Sequence, residues 1–369
     1  MKPKIISMYL PQFHQIPEND EFWGKGFTDW VTVKKAQPLF GGHQQPKVPL
    51  NNNYYDLSIK ENVAWQAKLA KEYGVYGFGI YHYWFNNEKN LLTKPAEIIL
   101  ENKSIDINFF FAWDNISWKR SWSNLSGNDW APLMDAGGKK LEEKPILIPY
   151  ILGSEEDWER HYNSLIPYFK DERYIKKDNK PLFIIFHYCE KIGAMCQYWD
   201  SLAKKDGFNG MYFIFRYSTQ NGVPQNENVF KYEPQFSGWS DTPSLQERVM
   251  YKLEKILGLK TGPKFYKYQK IWNELIKNAE KMNQPNIYHG AFVSYDDTPR
   301  RGFRGKIVSE ATPSNFEFYM KRLYEISKSQ NKEFIFLTAW NEWGEGACLE
   351  PDEINAYKYL EVIKRIVEE

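Results

Sequence analysis

Short apolar runs recur along the chain, separated by stretches of helical period. Runs over residues 4–9, 75–81, 107–111, 182–186, 211–215, 287–294 and 334–339, with a weaker one over 229–232, have the length and β-favouring content of buried strands. Helical patterns cover residues 57–73, 95–102, 155–169, 197–205, 245–257, 266–281, 313–330 and 353–367. Asp56 stands where the first helix needs a cap, and Gly74 where it needs a stop. Eight strands mostly separated by helices predict an α/β fold, a (β/α)8 TIM-type barrel with long loops at the C-terminal ends of its strands. A doubly wound sheet shares the alternation but gathers its ligand groups at one switch point. Here at least five strand ends run into polar or aromatic clusters, which favours the barrel. No repeat, low-complexity tract or linker divides the chain, so residues 1–369 read as a single domain.

Those clusters hold the candidate chemistry. Pro11 ends the first strand after Tyr9 and exposes Gln12 and His14, the latter either a ligand contact or a core residue. Residues 23–55, rich in Pro, Gly and Asn, are too long for a simple connection and are expected to cover or bind something. The second strand is read as ending before His82-Tyr-Trp84-Phe-Asn86, so His82 and Trp84 are expected to face a ligand. After the third come Trp113, Asp114, Trp118, Arg120 and Trp122, either a stacking wall with a cation for phosphate or carboxylate, or the packing of a long loop. Arg216 ends the fifth strand. Asp296, Asp297 and Arg300 follow the seventh, where they either bond sugar hydroxyls or shape a proline turn.

The last strand runs directly into Trp340-Asn341-Glu342-Trp343-Gly344-Glu345, with Glu350 further along the loop. A turn-like geometry would hold the Cβ atoms of Glu342 and Glu345 roughly 5–6 Å apart. Retaining glycosidases keep their two carboxyls about 5–5.5 Å apart, so the pair suits work at one anomeric centre; the alternative is a pair of helix-capping acids. Trp340 and Trp343 favour a site. Glu350 is expected to orient substrate or position the loop.

Composition narrows the partners. The net charge is +1 with dispersed Lys and Arg, which removes the electrostatic footprint of a nucleic-acid or anionic-membrane protein. The chain lacks an apolar run of about 18 residues, so no integral membrane segment is expected. A first strand beginning at Lys4 leaves no room for a signal peptide, and the expected location is the cytoplasm. Cys189, Cys196 and Cys348 read as free thiols. Aromatic residues reach 17 %, which suits either a glycan or sugar-donor ligand or an aromatic-rich core. Neither a cofactor nor a metal site is expected: dinucleotide, P-loop and His-Glu-x-x-His signatures are absent, although His14, His82, His187 and His289 lie near strands. Nothing in the pattern encodes an oligomeric state.

The combination of Tyr9-Leu-Pro-Gln-Phe-His14, Trp23-Gly-Lys-Gly-Phe-Thr28, Tyr81-His-Tyr-Trp-Phe85, Asp296-Asp-Thr-Pro-Arg300 and Trp340-Asn-Glu-Trp-Gly-Glu-Gly346 with Leu349-Glu-Pro-Asp352 resembles the WbsX-like glycosyltransferases, a glycoside hydrolase family 99-like group, over nearly the whole chain. The resemblance implies a (β/α)8 barrel acting on α-linked glycosides with retention, in assembly of surface polysaccharides such as O-antigen or capsule. An endo-acting α-glycosidase, endo-α-mannosidase-like, and a non-catalytic glycan-binding barrel are the competing expectations. Carried over from family 99, Glu342 would deprotonate a sugar 2-hydroxyl and Glu345 would be the acid/base on the leaving group. Family 99 enzymes read Glu-Trp-His-Glu, whereas this chain has Gly344 at the histidine position. Relatives typically read Trp-Ala-Asn-Glu-Asn-Trp where this chain has Trp113-Asp-Asn-Ile-Ser-Trp118, moving an acid to Asp114.

Overall fold

Strands apolar on both faces must be covered on both, and closing them into a ring with helices outside does so. The computed structural model describes residues 1–119, 146–218, 222–239 and 262–369. Its barrel strands are β1 (Lys4–Tyr9), β2 (Gly77–Asn86), β3 (Asn108–Trp113), β4 (Lys180–Ile185), β5 (Tyr212–Arg216), β6 (Val229–Phe230), β7 (Ile287–Phe292) and β8 (Phe334–Thr338). Each pairs in parallel with the next in sequence, and β8 pairs back onto β1 with Lys4 opposite Phe334. The ring is an eight-stranded parallel barrel, as the alternation predicts.

Helices Lys60–Glu72, Lys94–Glu101, Glu155–Phe169, Glu190–Lys205, Tyr268–Lys281, Pro313–Ser329 and Lys358–Glu368 lie between or after the strands. Local chemistry sets several starts. Ser154 and Asp157 form a capping box, and Thr312 caps a helix that opens on Pro313. Asp56 is not the cap expected: its Oδ1 accepts from Ser58 N at 2.7 Å, and this turn delays the helix to Lys60. Residues 264–267 form a strand paired with Lys306–Ser309, where the pattern had suggested the first turn of a helix. The segment read as irregular contains the helix Asp29–Lys35. The helix expected over 245–257 lies outside the described residues.

Large rings fill the barrel. Phe336 sits 5.3 Å from Phe230 and 6.1 Å from Phe110, centroid to centroid. A Cβ on Gly79 would lie 2.8 Å from Phe110 Cζ and 2.9 Å from Met8 Sδ, so glycine there makes room for the ring. Replacing fully buried Phe336 with Ala is expected to lower unfolding free energy by about 3–5 kcal/mol in denaturant titration; a loss below about 1 kcal/mol would contradict this packing.

One boundary matters for function. β2 continues through Asn86 instead of ending at Tyr81, held by the antiparallel strand Lys89–Leu91 with Tyr83 opposite Leu91. Strand parity therefore turns Tyr81 and Tyr83 towards the barrel and His82 and Trp84 towards helix Glu155–Phe169. His82 Nε2 lies 2.8 Å from His161 Nε2, and Trp84 stacks on the His161 ring at 4.4 Å. Trp113, the last residue of β3, packs its ring 4.8 Å from His161 and donates its indole N–H to the Trp84 carbonyl. The expectation that His82, Trp84 and Trp113 line the ligand site is corrected: they form a packed cluster behind the barrel wall.

Burial pushes His82 down to about 3 and His161 well below its ordinary value. Both are neutral when folded and take up protons near pH 6.5 when unfolded. Their depressed folded values mean stability is retained above about pH 6.5 and lost as pH falls from there towards 3. The slope is about 1.4 kcal/mol per pH unit for each histidine in that window. Chemical denaturation between pH 7.5 and 5 should show a shallower loss for His82→Gln than for the parent; equal slopes would refute the account.

Candidate active site

The C-terminal end of the barrel is assembled by backbone clamps. Asn341 accepts from Leu10 N at 2.7 Å and donates to the Leu10 carbonyl at 2.9 Å, tying the loop after β8 to that after β1. This places Gln12, whose amide donates to the Tyr83 hydroxyl at 2.9 Å. The Asp296 N–H donates to the Glu345 carbonyl at 2.7 Å, joining the loops after β7 and β8.

Glu342 precedes the short turn Trp343–Glu345, and Glu345 is its last residue. Arg300, from the turn after β7, reaches both: Nη1 donates to Glu345 Oε1 at 2.8 Å, and Nη2 lies 4.0 Å from Glu342 Oε2. The same Nη2 donates to Asp29 at 3.1 and 3.2 Å. Burial works against the Arg300 charge, but Asp29, Glu345 and Glu342 more than offset it. Glu342 is enclosed, its side chain 7 % exposed against 21 % for Glu345, so Glu345 is the more open to a ligand. Burial, followed by the Glu345 charge, lifts the Glu342 carboxyl well above the usual range, with Arg300 opposing.

Tyrosines and one acid complete the wall. Tyr81, Tyr83 and Tyr232 stand within electrostatic reach of Glu342, with the Tyr81 and Tyr232 hydroxyls 2.7 Å apart. Asp114 influences Glu342 and is itself raised to about 6 by burial, against the pull of Arg216. Arg216 sits 5.9 Å above the Phe186 ring and makes a 3.5 Å contact with Gln235 Oε1. Trp118 backs the wall, 5.8 Å from Tyr83 and 5.3 Å from Phe85.

Other candidates sit behind this layer. Glu350 accepts from Tyr55, Gln66 and Trp343, each at 2.7 Å, and the Tyr9 hydroxyl donates to Gln66 at 2.7 Å. Burial holds Glu350 near 7 against those donors. Tyr9, Trp343 and Glu350 thus brace the loop instead of facing its mouth, and fully buried Trp340 packs on Phe78. His14 is buried with Asp56, Glu97 and Lys94 as its charged neighbours. Asp296 accepts from Gln45 and Thr298 and lies 2.8 Å from His43 Nε2; burial would raise it, yet these bonds hold it below the usual range. Asp297 accepts from Lys306 N at 2.6 Å and is raised to about 6 by burial. Both therefore shape the turn. Arg120 lies outside the described residues. Among the described residues no cluster of three His, Cys, Asp or Glu is arranged for a metal, and no helix is long and apolar enough to cross a membrane.

Residues 5–363 match the family described as Glycosyltransferase WbsX. The chain belongs to that family. Its relative WxcX, an uncharacterized protein of Xanthomonas campestris pv. campestris, is 28 % identical over 98 % of this chain, which spans 49 % of WxcX, about half its length. Among solved structures, the GH99 endo-alpha-mannosidase of Bacteroides thetaiotaomicron aligns with a TM-score of 0.57 and 14 % identity, over 99 % of this chain and 96 % of that one. A protein called glycoside hydrolase-like aligns with a TM-score of 0.60 and 12 % identity, over 99 % and 94 % of the two chains. At these identities the likeness is one of fold.

Two features of this WbsX-family chain escaped its sequence. Asp29 gave no signal beyond its place after Trp23-Gly-Lys-Gly-Phe-Thr28, and Tyr81, Tyr83 and Tyr232 needed the parity of strands whose ends were misread. The space beside Gly344, where family 99 enzymes carry histidine, is taken: a Cβ there would lie 2.7 Å from Arg300 Nε and 2.9 Å from Asp29 Oδ2. Because both side chains are buried and paired, they have little room to yield. Gly344→Ala is expected to cost about 1–3 kcal/mol in denaturant unfolding. An unchanged midpoint would show that the pair moves freely.

Proposed function

We propose that this chain, as one catalytic domain over residues 1–369, transfers or processes α-linked sugars with retention during assembly of a cell-surface polysaccharide, and does so in the cytoplasm. The observation that carries the reading is the meeting of Glu342 and Glu345 on one guanidinium at the barrel mouth, under a tyrosine wall. Glycoside chemistry needs one carboxyl to protonate the leaving oxygen and another group to take a proton or attack. The two differ in enclosure, which is the physical means of separating such roles. Tyrosine faces and hydroxyls suit sugar rings, and Gln12, Asp114 and Arg216 bring polar groups to the same mouth. Membership in a family described as glycosyltransferases supports transfer.

The fold shared with an endo-alpha-mannosidase favours a second reading, an endo-acting α-glycosidase, for which water replaces the sugar acceptor. Incubation with nucleotide sugars and defined α-linked oligosaccharides, followed by mass spectrometry, separates the two by whether product carries an acceptor sugar or water. On a substrate the parent turns over, Glu342→Gln and Glu345→Gln should each lose about 10²–10⁴-fold in rate. Full activity in both folded variants would sink the assignment. Calorimetric saccharide binding with no turnover, untouched by Glu345→Gln, would instead mark a glycan-binding barrel.

A further inference from the structure

Arg216 and Arg300 both stand at this mouth, and the protein meets their charges differently. Arg300 is enclosed by acids, donating to Asp29 at 3.1 and 3.2 Å and to Glu345 at 2.8 Å. Arg216, the last residue of β5, has no carboxylate within ion-pair distance among the described residues. Its one hydrogen bond to them is the 3.5 Å contact from Nη1 to Gln235 Oε1, at the outer limit for such bonds. Its Nε is buried with no acceptor among them. A guanidinium carries five N–H donors, so the described residues leave most of that capacity unused.

Strand parity aims this cation inward. Phe213 and Phe215 point outward, their rings 6.3 Å from Trp199 and 5.2 Å from Tyr188, which turns Ile214 and Arg216 towards the barrel axis. The guanidinium sits 5.9 Å above the Phe186 ring, and that ring packs 5.6 Å from Tyr81 and 5.5 Å from Tyr232. Tyr232 and Asp114 each lie within electrostatic reach of both Arg216 and Glu342, so the arginine shares the acid pair's side of the mouth. It is half-buried, open to the mouth yet partly shielded from water.

We propose that Arg216 is the subsite for an oxyanion carried by the saccharide substrate, a carboxylate on an acidic sugar or a phosphate ester, held beside the tyrosine wall. Given the glycoside reading above, on which this rests, the substrate class of the mouth is an acidic or phosphorylated saccharide. Partial burial strips hydration from the guanidinium, and a neutral amide at 3.5 Å returns little of it. An anion supplies the missing acceptors and the missing charge together. Asp114 leaves that place open: it stands outside ion-pair distance, and burial raises it to about 6 against the pull of Arg216. The Phe186 face beneath the cation leaves the guanidinium edge, where carboxylates and phosphates bind, to the ligand. A neutral sugar hydroxyl would occupy one donor without meeting the charge, so the subsite discriminates in favour of the anionic sugar.

Binding titrations of the whole chain, followed by NMR at neutral pH and low salt, test this without turnover. The probes are the methyl α-uronides of glucose, galactose and mannose, the corresponding methyl glycoside 6-phosphates, their neutral parent glycosides, and inorganic phosphate. At least one anionic sugar should bind about 10–100-fold more tightly than its neutral parent, the uronide arm identifying a carboxylate and the 6-phosphate arm a phosphate. Arg216→Gln should abolish that preference. Gln235→Glu, which sets a carboxylate against Nη1, should abolish it as well and serves alone if Arg216→Gln fails to fold. No preference in the parent, a preference that survives in either folded variant, or inorganic phosphate binding as tightly as the sugar phosphates overturns the inference. A parent that processes neutral glycosides without such a preference fails the subsite alone. One that binds the anionic probes but turns over no glycoside fails the glycoside reading alone.

Discussion

A guanidinium drawn out of water needs negative charge and acceptors around it, and the mouth of this barrel is organised by meeting that demand at Arg300. Its partner Asp29 lies 271 residues away in sequence, on a helix after β1, and Glu342 and Glu345 come from the loop after β8. Stranding a buried charge by deleting its partner costs about 3–5 kcal/mol, so each loop is held where the cation requires it. The same constraint excludes a side chain at position 344, because the ion pair lies against that backbone. The shape of the mouth beside position 344 is thus tied to an electrostatic requirement.

Behind the mouth the polar groups have a different task. Glu350 gathers Tyr55, Gln66 and Trp343 in a buried network, and Asp296 gathers Gln45 and Thr298 beside His43. Buried acceptors of this kind lower their cost only when satisfied, and once satisfied they fix the loops that carry them. Rigid loops keep Glu342 and Glu345 in register with the tyrosine wall. The histidine and tryptophan cluster around His161 completes the outer layer, where it seals the barrel wall against the helices.

Much of the candidate site was legible because its signals are local. An apolar run entering Asn341-Glu342-Trp343-Gly344-Glu345 marks a strand end with acids, and the alternation of runs and helical periods marks a closed barrel. His82, Trp84 and Trp113 were misplaced because an aromatic strand extension and an aromatic loop have the same composition; only pairing with Lys89–Leu91 fixes where β2 stops. Asp296 and Asp297 look like ligand groups in sequence, yet backbone N–H groups from Thr298 and Lys306 consume their oxygens.

By itself the sequence determined the fold class, the order of its strands and the segment bearing the acid pair, since periodicity and abrupt polarity changes are properties of neighbouring residues. Which groups share the mouth was decided only by the tertiary structure. Strand parity, the length of β2 and the approach of Asp29 to Arg300 depend on contacts between residues distant in the chain, and those contacts set the charge and enclosure that distinguish Glu342 from Glu345.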